Sequence, residues 1–312
     1  DLIYTIRNKC RVCYTCVREC PAKAIKIVNG QAEVINERCV ACGNCIKVCS
    51  QGAKVYLDTK GSVYQMLENG RKNIAMVAPS FPAEFSELED HKKLAGMIRA
   101  LGFDVVSEVS FGADLVAMKY NESITQNGSK RHISSDCPAI AAYIERYHPS
   151  LVENLAPIAS PMVAMSRVMR KKYGDQVNLI FIGPCLAKKS ESDEVDEMLT
   201  FVELRQMFDE CNVDPQKVHP VAFDPPRSGR GAIFPVSRGL LQTAGIKDDV
   251  FDGNIIVAEG RIDFQEAIKE FEDGQIKSRH LELLCCEGCI VGPGTSKKNR
   301  RQYNRRILVH NY

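Results

Sequence analysis

The stretch "CRVCYTCVRECP", residues 10–21, decides how the first part of this chain is built. Its cysteines fall at 10, 13, 16 and 20, and Pro21 follows the last of them. The same spacing returns 29 residues later in "CVACGNCIKVCS", residues 39–50, as Cys39, Cys42, Cys45 and Cys49, with Ser50 in place of the proline. Thiols placed two and three residues apart, twice over, are too close and too regular for a set of bridges, and they suit metal ligation. A structural zinc site takes four ligands as two pairs, whereas each run here offers three close thiols and a fourth set apart.

That spacing is the bacterial pattern for a pair of [4Fe–4S] clusters, in which the fourth cysteine of each run crosses to the other cluster. It assigns Cys10, Cys13, Cys16 and Cys49 to one cluster, and Cys39, Cys42, Cys45 and Cys20 to the other. The flanking segments "AIKIVNGQAEVI" and "AKVYLD" read as short strands. Residues 1–60 are therefore expected to form a small α+β, bacterial-type 2[4Fe–4S] ferredoxin domain that relays electrons.

Composition bounds the rest. A length of 312 residues suggests about two domains. A hydrophobic share of 45% supports a buried core. A net charge of +2 argues against a nucleic-acid groove or an anionic-membrane surface as the main partner. No apolar run approaches the ~20 residues of a membrane span, so no membrane insertion is expected. The chain begins at Asp1, and no secretory signal is visible. Of 14 cysteines, eight lie before residue 50. Metal-bound thiolates imply a reducing, cytoplasmic and anaerobic setting.

From about Gly61 the pattern changes. "SVYQMLENG" and "HKKLAGMIRALG" have helical spacing, and "NIAMVAPS", "FDVVSEVS" and "DQVNLIFIGPC" read as strands. "TFVELRQMFDECNV" is a helix that starts at Thr200, and "GNIIVAEG", "DFQEAIKEFEDG" and "HLELLCC" continue the alternation. Residues 61–312 are thus expected to form an α/β domain with a mainly parallel sheet in two lobes. Ligands gather where such strands run out into loops, and the remaining cysteines lie there. Cys185 and the pair Cys285 and Cys289 follow strands, and Cys137 precedes a helix that Pro138 opens. Four thiolates from these distant segments would hold a third [4Fe–4S] cluster; the alternative is ordinary buried core cysteines. Gly288, Gly292 and Gly294 are expected to let backbone approach a large cofactor. Cys286 competes with Cys285 as a ligand, and Cys211 reads as a buried apolar residue.

Three segments, "SSDCPA", "GPCLAKKSE" and "LLCCEGCIVGPG", together resemble the signature motifs of the [FeFe] hydrogenase catalytic domain. The resemblance covers nearly the whole chain, because many members carry a two-cluster ferredoxin domain in front. It implies a [4Fe–4S] cluster held by Cys137, Cys185, Cys285 and Cys289, with Cys289 bridging to a diiron subsite. That subsite carries CO, CN and a bridging azadithiolate. Spacing to Cys289 favours Cys285 over Cys286 within this pattern. Lys188 would hydrogen-bond a cyanide, a charge-assisted contact that is strong in a dry pocket; Glu191 also matches the motif. Ala78, Pro79 and Ser80 resemble a loop lining the diiron pocket, and Pro161 and Phe234 resemble other pocket positions.

The departures are as informative. The family's first motif has two adjacent cysteines, one of which shuttles protons; Asp136 stands there. Gly183 replaces the methionine of the second motif, and Leu283 aligns near that of the third. After "GADL" the family's acidic residues give way to Lys119 and Tyr120. A thiol titrates near pH 8 and a free aspartate at ~3.9, so Asp136 serves as a relay only if burial raises it. Kept ligands with a rebuilt proton path resemble the sensory branch of the family. The expected activity is slow reversible H2 oxidation, with electrons passing to a redox partner protein or a downstream signalling module. Rival readings are a fully competent metabolic hydrogenase, a non-catalytic iron–sulfur assembly or scaffold protein without the diiron unit, and a ferredoxin-linked reductase using the loop "DPPRSGRGA", Asp224 to Ala232, for an anion. His132 and His148 read as helix-end or surface residues, and the basic tail "SKKNRRQYNRRILVH" as a solvated helix.

Overall fold

The two cysteine runs lie among two small antiparallel strand pairs. In the computed structural model, which describes residues 1–126, 131–247, 253–296 and 301–312, β1 (Ile3–Thr5) is followed by α1 (Thr15–Arg18), β2 (Ile25–Val28), β3 (Gln31–Val34), α2 (Asn44–Val48) and β4 (Lys54–Tyr56). β1 pairs antiparallel with β4, and β2 with β3. Each helix carries the third thiol of its run, Cys16 or Cys45, on its buried side.

The next elements are α3 (Lys60–Glu68), β5 (Lys72–Val77), α4 (Phe81–Glu84), α5 (Lys92–Ala100), β6 (Val105–Glu108), α6 (Ser110–Gln126), β7 (His132–Ile133), α7 (Pro138–Tyr147) and α8 (Pro161–Tyr173). Then come β8 (Val177–Gly183), β9 (Glu197–Thr200), α9 (Phe201–Glu210), α10 (Gly239–Ala244), β10 (Ile255–Glu259), α11 (Asp263–Glu272), β11 (His280–Leu284) and α12 (Gln302–Asn311). They build two parallel sheets, β6-β5-β8-β9 and β10-β11-β7, which are the two lobes expected from the alternation. β8 is buried along its whole length, as a parallel strand covered on both faces must be. Thr200 caps α9 in a full capping box with Glu203, the start read from the sequence.

The first lobe has its own core around Ile74, Met76, Ile180, Phe181 and Phe201. The second shares a core with the N-terminal hairpins, where Ile3 and Ile25 join Ile133, Ile140, Phe264 and Leu281. Polar ties hold the N-terminal part to the first lobe. Tyr56 bonds Thr200 at 2.9 Å, and Lys189 pairs with Glu203 at 3.0 Å, where Glu203 also accepts from the Thr59 amide.

Three expectations change here. His132 is only 4% exposed, because it lies on β7 in register with His280 of β11; neighbouring sequence hid that two-residue strand. Cys211 is exposed, at the C-cap of α9 and 3.7 Å from the Tyr64 hydroxyl. The tail helix is not simply solvated, since Arg305 is buried and pairs with buried Glu84 at 2.6 Å. Its residues 297–300 lie outside the described residues. The Asp224–Ala232 loop is pinned by Asp114, which accepts from the Gly229 and Gly231 amides at 2.6 and 2.7 Å. Among the described residues no helix is long and apolar enough to cross a membrane.

Candidate iron–sulfur and active site

Two hollows in the N-terminal part match the two thiol groups read from the spacing. One is lined by Cys10, Cys13, Cys16 and Cys49, and the other by Cys20, Cys39, Cys42 and Cys45. Tight backbone makes this possible: Val12, Tyr14 and Ala41 take positive φ so that successive thiols turn inward. The chemistry of this donor set, eight thiols in two interlocked fours around open space, fits a [4Fe–4S] cubane in each. Lys54 lies beside both groups, lowering the Cys16 and Cys45 thiols against the larger upward push of burial.

The remaining thiols meet at the carboxyl ends of parallel strands from both lobes, where such sheets place ligands. β7 leads into Cys137, the N-cap of α7. β8 leads into Cys185, and β11 into Cys285, Cys286 and Cys289. Burial pushes Cys185 up to about 11 and Cys137 up to about 12; Cys185 is the main charge acting on Cys137, and both act on Cys289. Cys137, Cys185 and Cys289, with one of the vicinal pair, fit a third cubane.

The vicinal pair divides its contacts. Cys286, pushed up to about 12 by burial, feels Cys137 and acts on both Cys185 and Cys289. The Cys285 backbone amide bonds the Cys137 sulfur, and its thiol bonds the Cys42 sulfur. That bond lowers Cys42 and raises Cys285. The second ferredoxin hollow and the third thiol group therefore touch through Cys42 and Cys285. Gly43 permits the approach, since a Cβ there would lie 2.5 Å from the Pro293 ring.

Lys188 is largely enclosed, with its side chain 12% exposed, and is not a surface lysine. Its Nζ donates to Ser160 Oγ at 3.1 Å and pairs with Glu191 at 2.7 Å. Burial alone would lower it, but Glu191 and Cys185 outweigh that and the net shift is upward, so it stays an ammonium. Ser160 caps α8 and precedes Pro161, which puts Pro161 on the same side as Lys188. Ser160 was not singled out from the sequence, although a serine before a helical proline was the available signal.

Asp136 is 8% exposed, and its Oδ1 has no hydrogen-bond partner. Burial raises its carboxyl to about 6, while its own backbone amide and Lys188 pull it down. The segment before it is locked from both sides: Ser134 bonds Leu281 and Leu283 of β11, and the Ser135 amide bonds the Tyr120 hydroxyl at 2.9 Å. Tyr120 thus has a positioning role, whereas Lys119 is exposed and pairs with Glu122. Glu282 is a residue that sequence reading missed. It is buried on β11, and burial with Asp136 beside it raises it to about 8.

Ala78 and Ser80 are buried at the end of β5, and the Ser80 hydroxyl also lacks a partner. Phe234 packs against Ala113, Tyr120 and Ala156, and the next residue, Pro235, accepts from the Cys289 amide at 2.8 Å. Two buried polar atoms without hydrogen-bond partners, Asp136 Oδ1 and Ser80 Oγ, together with the enclosed Lys188 ammonium, fit a polar metal unit beside the thiols. The glycines of the third motif also serve packing. A Cβ on Gly292 or Gly294 would lie 2.4 or 2.9 Å from the Pro184 carbonyl, and one on Gly288 3.1 Å from that of Pro235. They let chain approach chain. At Gly183 a Cβ would lie 2.7 Å from the Phe181 ring, so that ring stands close to where the family's methionine begins.

A profile described as "Iron only hydrogenase large subunit, C-terminal domain" matches residues 71–293, and one for a 4Fe-4S dicluster domain matches residues 2–50. The chain belongs to the iron-only hydrogenase large-subunit family. It is 27% identical to iron hydrogenase 1 of Clostridium pasteurianum, over 96% of this chain and 66% of that protein. To the NADP-reducing hydrogenase subunit HndD of Solidesulfovibrio fructosivorans it is 25% identical, over 82% of this chain and 55% of that one. It thus spans two thirds or less of the length of these hydrogenases. A probable cytosolic Fe-S cluster assembly factor from Culex quinquefasciatus is 24% identical over 74% of this chain and 61% of its own. The fold matches an apo [FeFe]-hydrogenase HydA1 from Chlamydomonas reinhardtii with TM-score 0.64 at 20% identity, covering 81% of this chain and 88% of that one. An iron–sulfur, hydrogenase-like domain with a ferredoxin-type dicluster domain is therefore the architecture of this family member.

Proposed function

We propose that this chain is a slow, reversible [FeFe] hydrogenase with a hydrogen-sensing role, converting H2 to two protons and two electrons. The observation that carries this reading is Lys188. Its ammonium, tied to Ser160 and Glu191 beside Cys185 and Asp136, places a fixed positive charge next to the third thiol group, which suits an anionic cofactor ligand.

Cys137, Cys185, Cys285 and Cys289 would hold the cubane, with Cys289 adjoining the diiron subsite. That subsite, with CO, CN and a bridging azadithiolate, supplies the splitting and formation of H2 when bound. The chain's residues do the rest. Lys188 presents fixed positive charge toward an anionic ligand. Ala78, Pro79, Ser80, Pro161 and Phe234 wall the pocket and keep water out. Asp136 accepts or returns a proton at its unpartnered Oδ1, with an affinity near the working range. Electrons leave through Cys285 and Cys42 to the two ferredoxin clusters and on to a redox partner or signalling module. The protein is read as cytoplasmic, with neither nucleic acid nor membrane as partner.

Infrared spectroscopy of protein matured with the diiron precursor tests this. Intense CO and CN bands, with slow H2 evolution from the same sample, are expected. Absence of those bands in protein holding its full [4Fe–4S] content would instead support the assembly-factor reading, which the curated relatives of that name and the small Gly183 favour.

A further inference from the structure

A cleft of about 520 Å³ opens on the first lobe, and no thiol lines it. Its volume falls within the ~300–1,000 Å³ of small-molecule sites. It lies at the carboxyl end of β6, where Glu108 is the last residue, between the turn before α5 and the segment 222–229. That segment is fixed to β6, because the Asp224 amide donates to Val106 and the Ser107 hydroxyl to the Asp224 carbonyl. Three rings line the cleft: His91, Phe223 and Tyr312. His91 and Tyr312 stand at 86° with centroids 5.0 Å apart. Fully buried Phe81 packs on Phe223 at 5.2 Å and on Tyr312 at 4.9 Å. Burial lowers His91, so its ring is neutral at pH 7. Glu108 is buried at this site and accepts from the Tyr312 and Ser228 hydroxyls. Both donors are neutral, and among the described residues no cation pairs with Glu108. The other inner carboxylate, Asp224, is held by Arg99 at 2.5 Å. At the mouth, exposed Glu89 and Asp90 balance exposed Lys92 and Arg227. The uncompensated charge is therefore the Glu108 carboxylate.

We propose that this cleft binds a small alkylated ammonium ion, its head among His91, Phe223 and Tyr312 with Glu108 as counter-ion. Aromatic rings attract a cation that has shed its water, and a nearby carboxylate adds to that attraction. An anion is disfavoured by Glu108. A divalent metal ion calls for six or more oxygen ligands, and rings dominate this lining instead. Alkyl groups on the nitrogen suit it, since they carry positive charge without N–H donors that need acceptors. The site is separate from the thiol groups and stands whether or not the chain turns over H2.

The test is isothermal titration calorimetry of the iron-replete protein with choline as the probe. Its uncharged counterpart of the same shape, 3,3-dimethylbutan-1-ol, is titrated beside it. Saturable choline binding is expected, with the alcohol at least about tenfold weaker. Glu108→Gln keeps the size and an acceptor for the two hydroxyls, and is expected to weaken choline at least about tenfold. Phe223→Leu keeps an apolar side chain without the ring and is expected to weaken it at least about threefold. Glu145→Gln, the same charge change on exposed α7, is expected to bind as native. No saturable choline binding, or equal affinity for the two probes, overturns the site. So does native affinity in Glu108→Gln or Phe223→Leu with an unchanged Tm. The two-probe comparison needs no substitution, so it decides even where Glu108→Gln fails to fold.

Discussion

Asp136 shows how one side chain can replace another of different chemistry. Burial lifts the carboxyl toward the thiol's range, to about 6. The carboxyl remains the stronger acid, so it takes up a proton less readily at the unpartnered Oδ1. Asp136→Cys is expected to raise H2 evolution at least about tenfold, and Asp136→Asn to lower it by a similar factor, in a steady-state assay of fully matured protein. Equal rates for all three would remove the relay role. His280 makes a separate prediction about stability. Burial, then His132, lowers it to about 4, and neither ring nitrogen has a hydrogen-bond partner. A depressed histidine contributes stability that is present above its unfolded value near 6.5 and lost as pH falls toward the folded value. Tm is expected to drop between pH 6.5 and about 4 in the native sequence, and to drop less in His280→Phe, which keeps the ring against Tyr120.

At the scale of elements, the site depends on how the third motif seats on the second. The Gly294 amide bonds the Pro184 carbonyl at 2.8 Å, and Gly292 leaves no room for a Cβ there. Gly292→Ala is expected to unseat Cys289 from Cys185, losing roughly four irons while the ferredoxin clusters keep their paramagnetic signals. Loss of all iron would mean the turn serves overall folding instead. The thiols were legible in the sequence because ligand spacing is a local property, and the α/β alternation was legible because long buried runs such as Val177–Gly183 have few other uses. What was not legible depends on approach between distant segments. Nothing local shows that Gly292 faces Pro184, that His132 pairs with His280, or that Ser160 holds Lys188. Cys211 was misplaced because a helix C-cap on the surface carries the same letters as a buried turn.

On the scale of the whole molecule, the N-terminal hairpins and the second lobe share one core, and Gly43 brings the second cysteine run against Pro293. Lys189, Glu203 and Thr59 fasten the first lobe to the same part. Lys189→Met is expected to cost about 3–5 kcal/mol, because it strands the Glu203 carboxylate in a dry site; denaturant unfolding measures it. These contacts hold three thiol groups in a line from exposed Cys13, through Cys42 and Cys285, to Cys289. The reading of the chain as a hydrogenase needs the last of those groups to be a real metal centre. Mössbauer counting of ⁵⁷Fe in protein reconstituted without the diiron precursor tests that most directly. About twelve cubane irons per chain are expected, falling to about eight in Cys137→Ser/Cys185→Ser. About eight irons in both proteins would contradict the account.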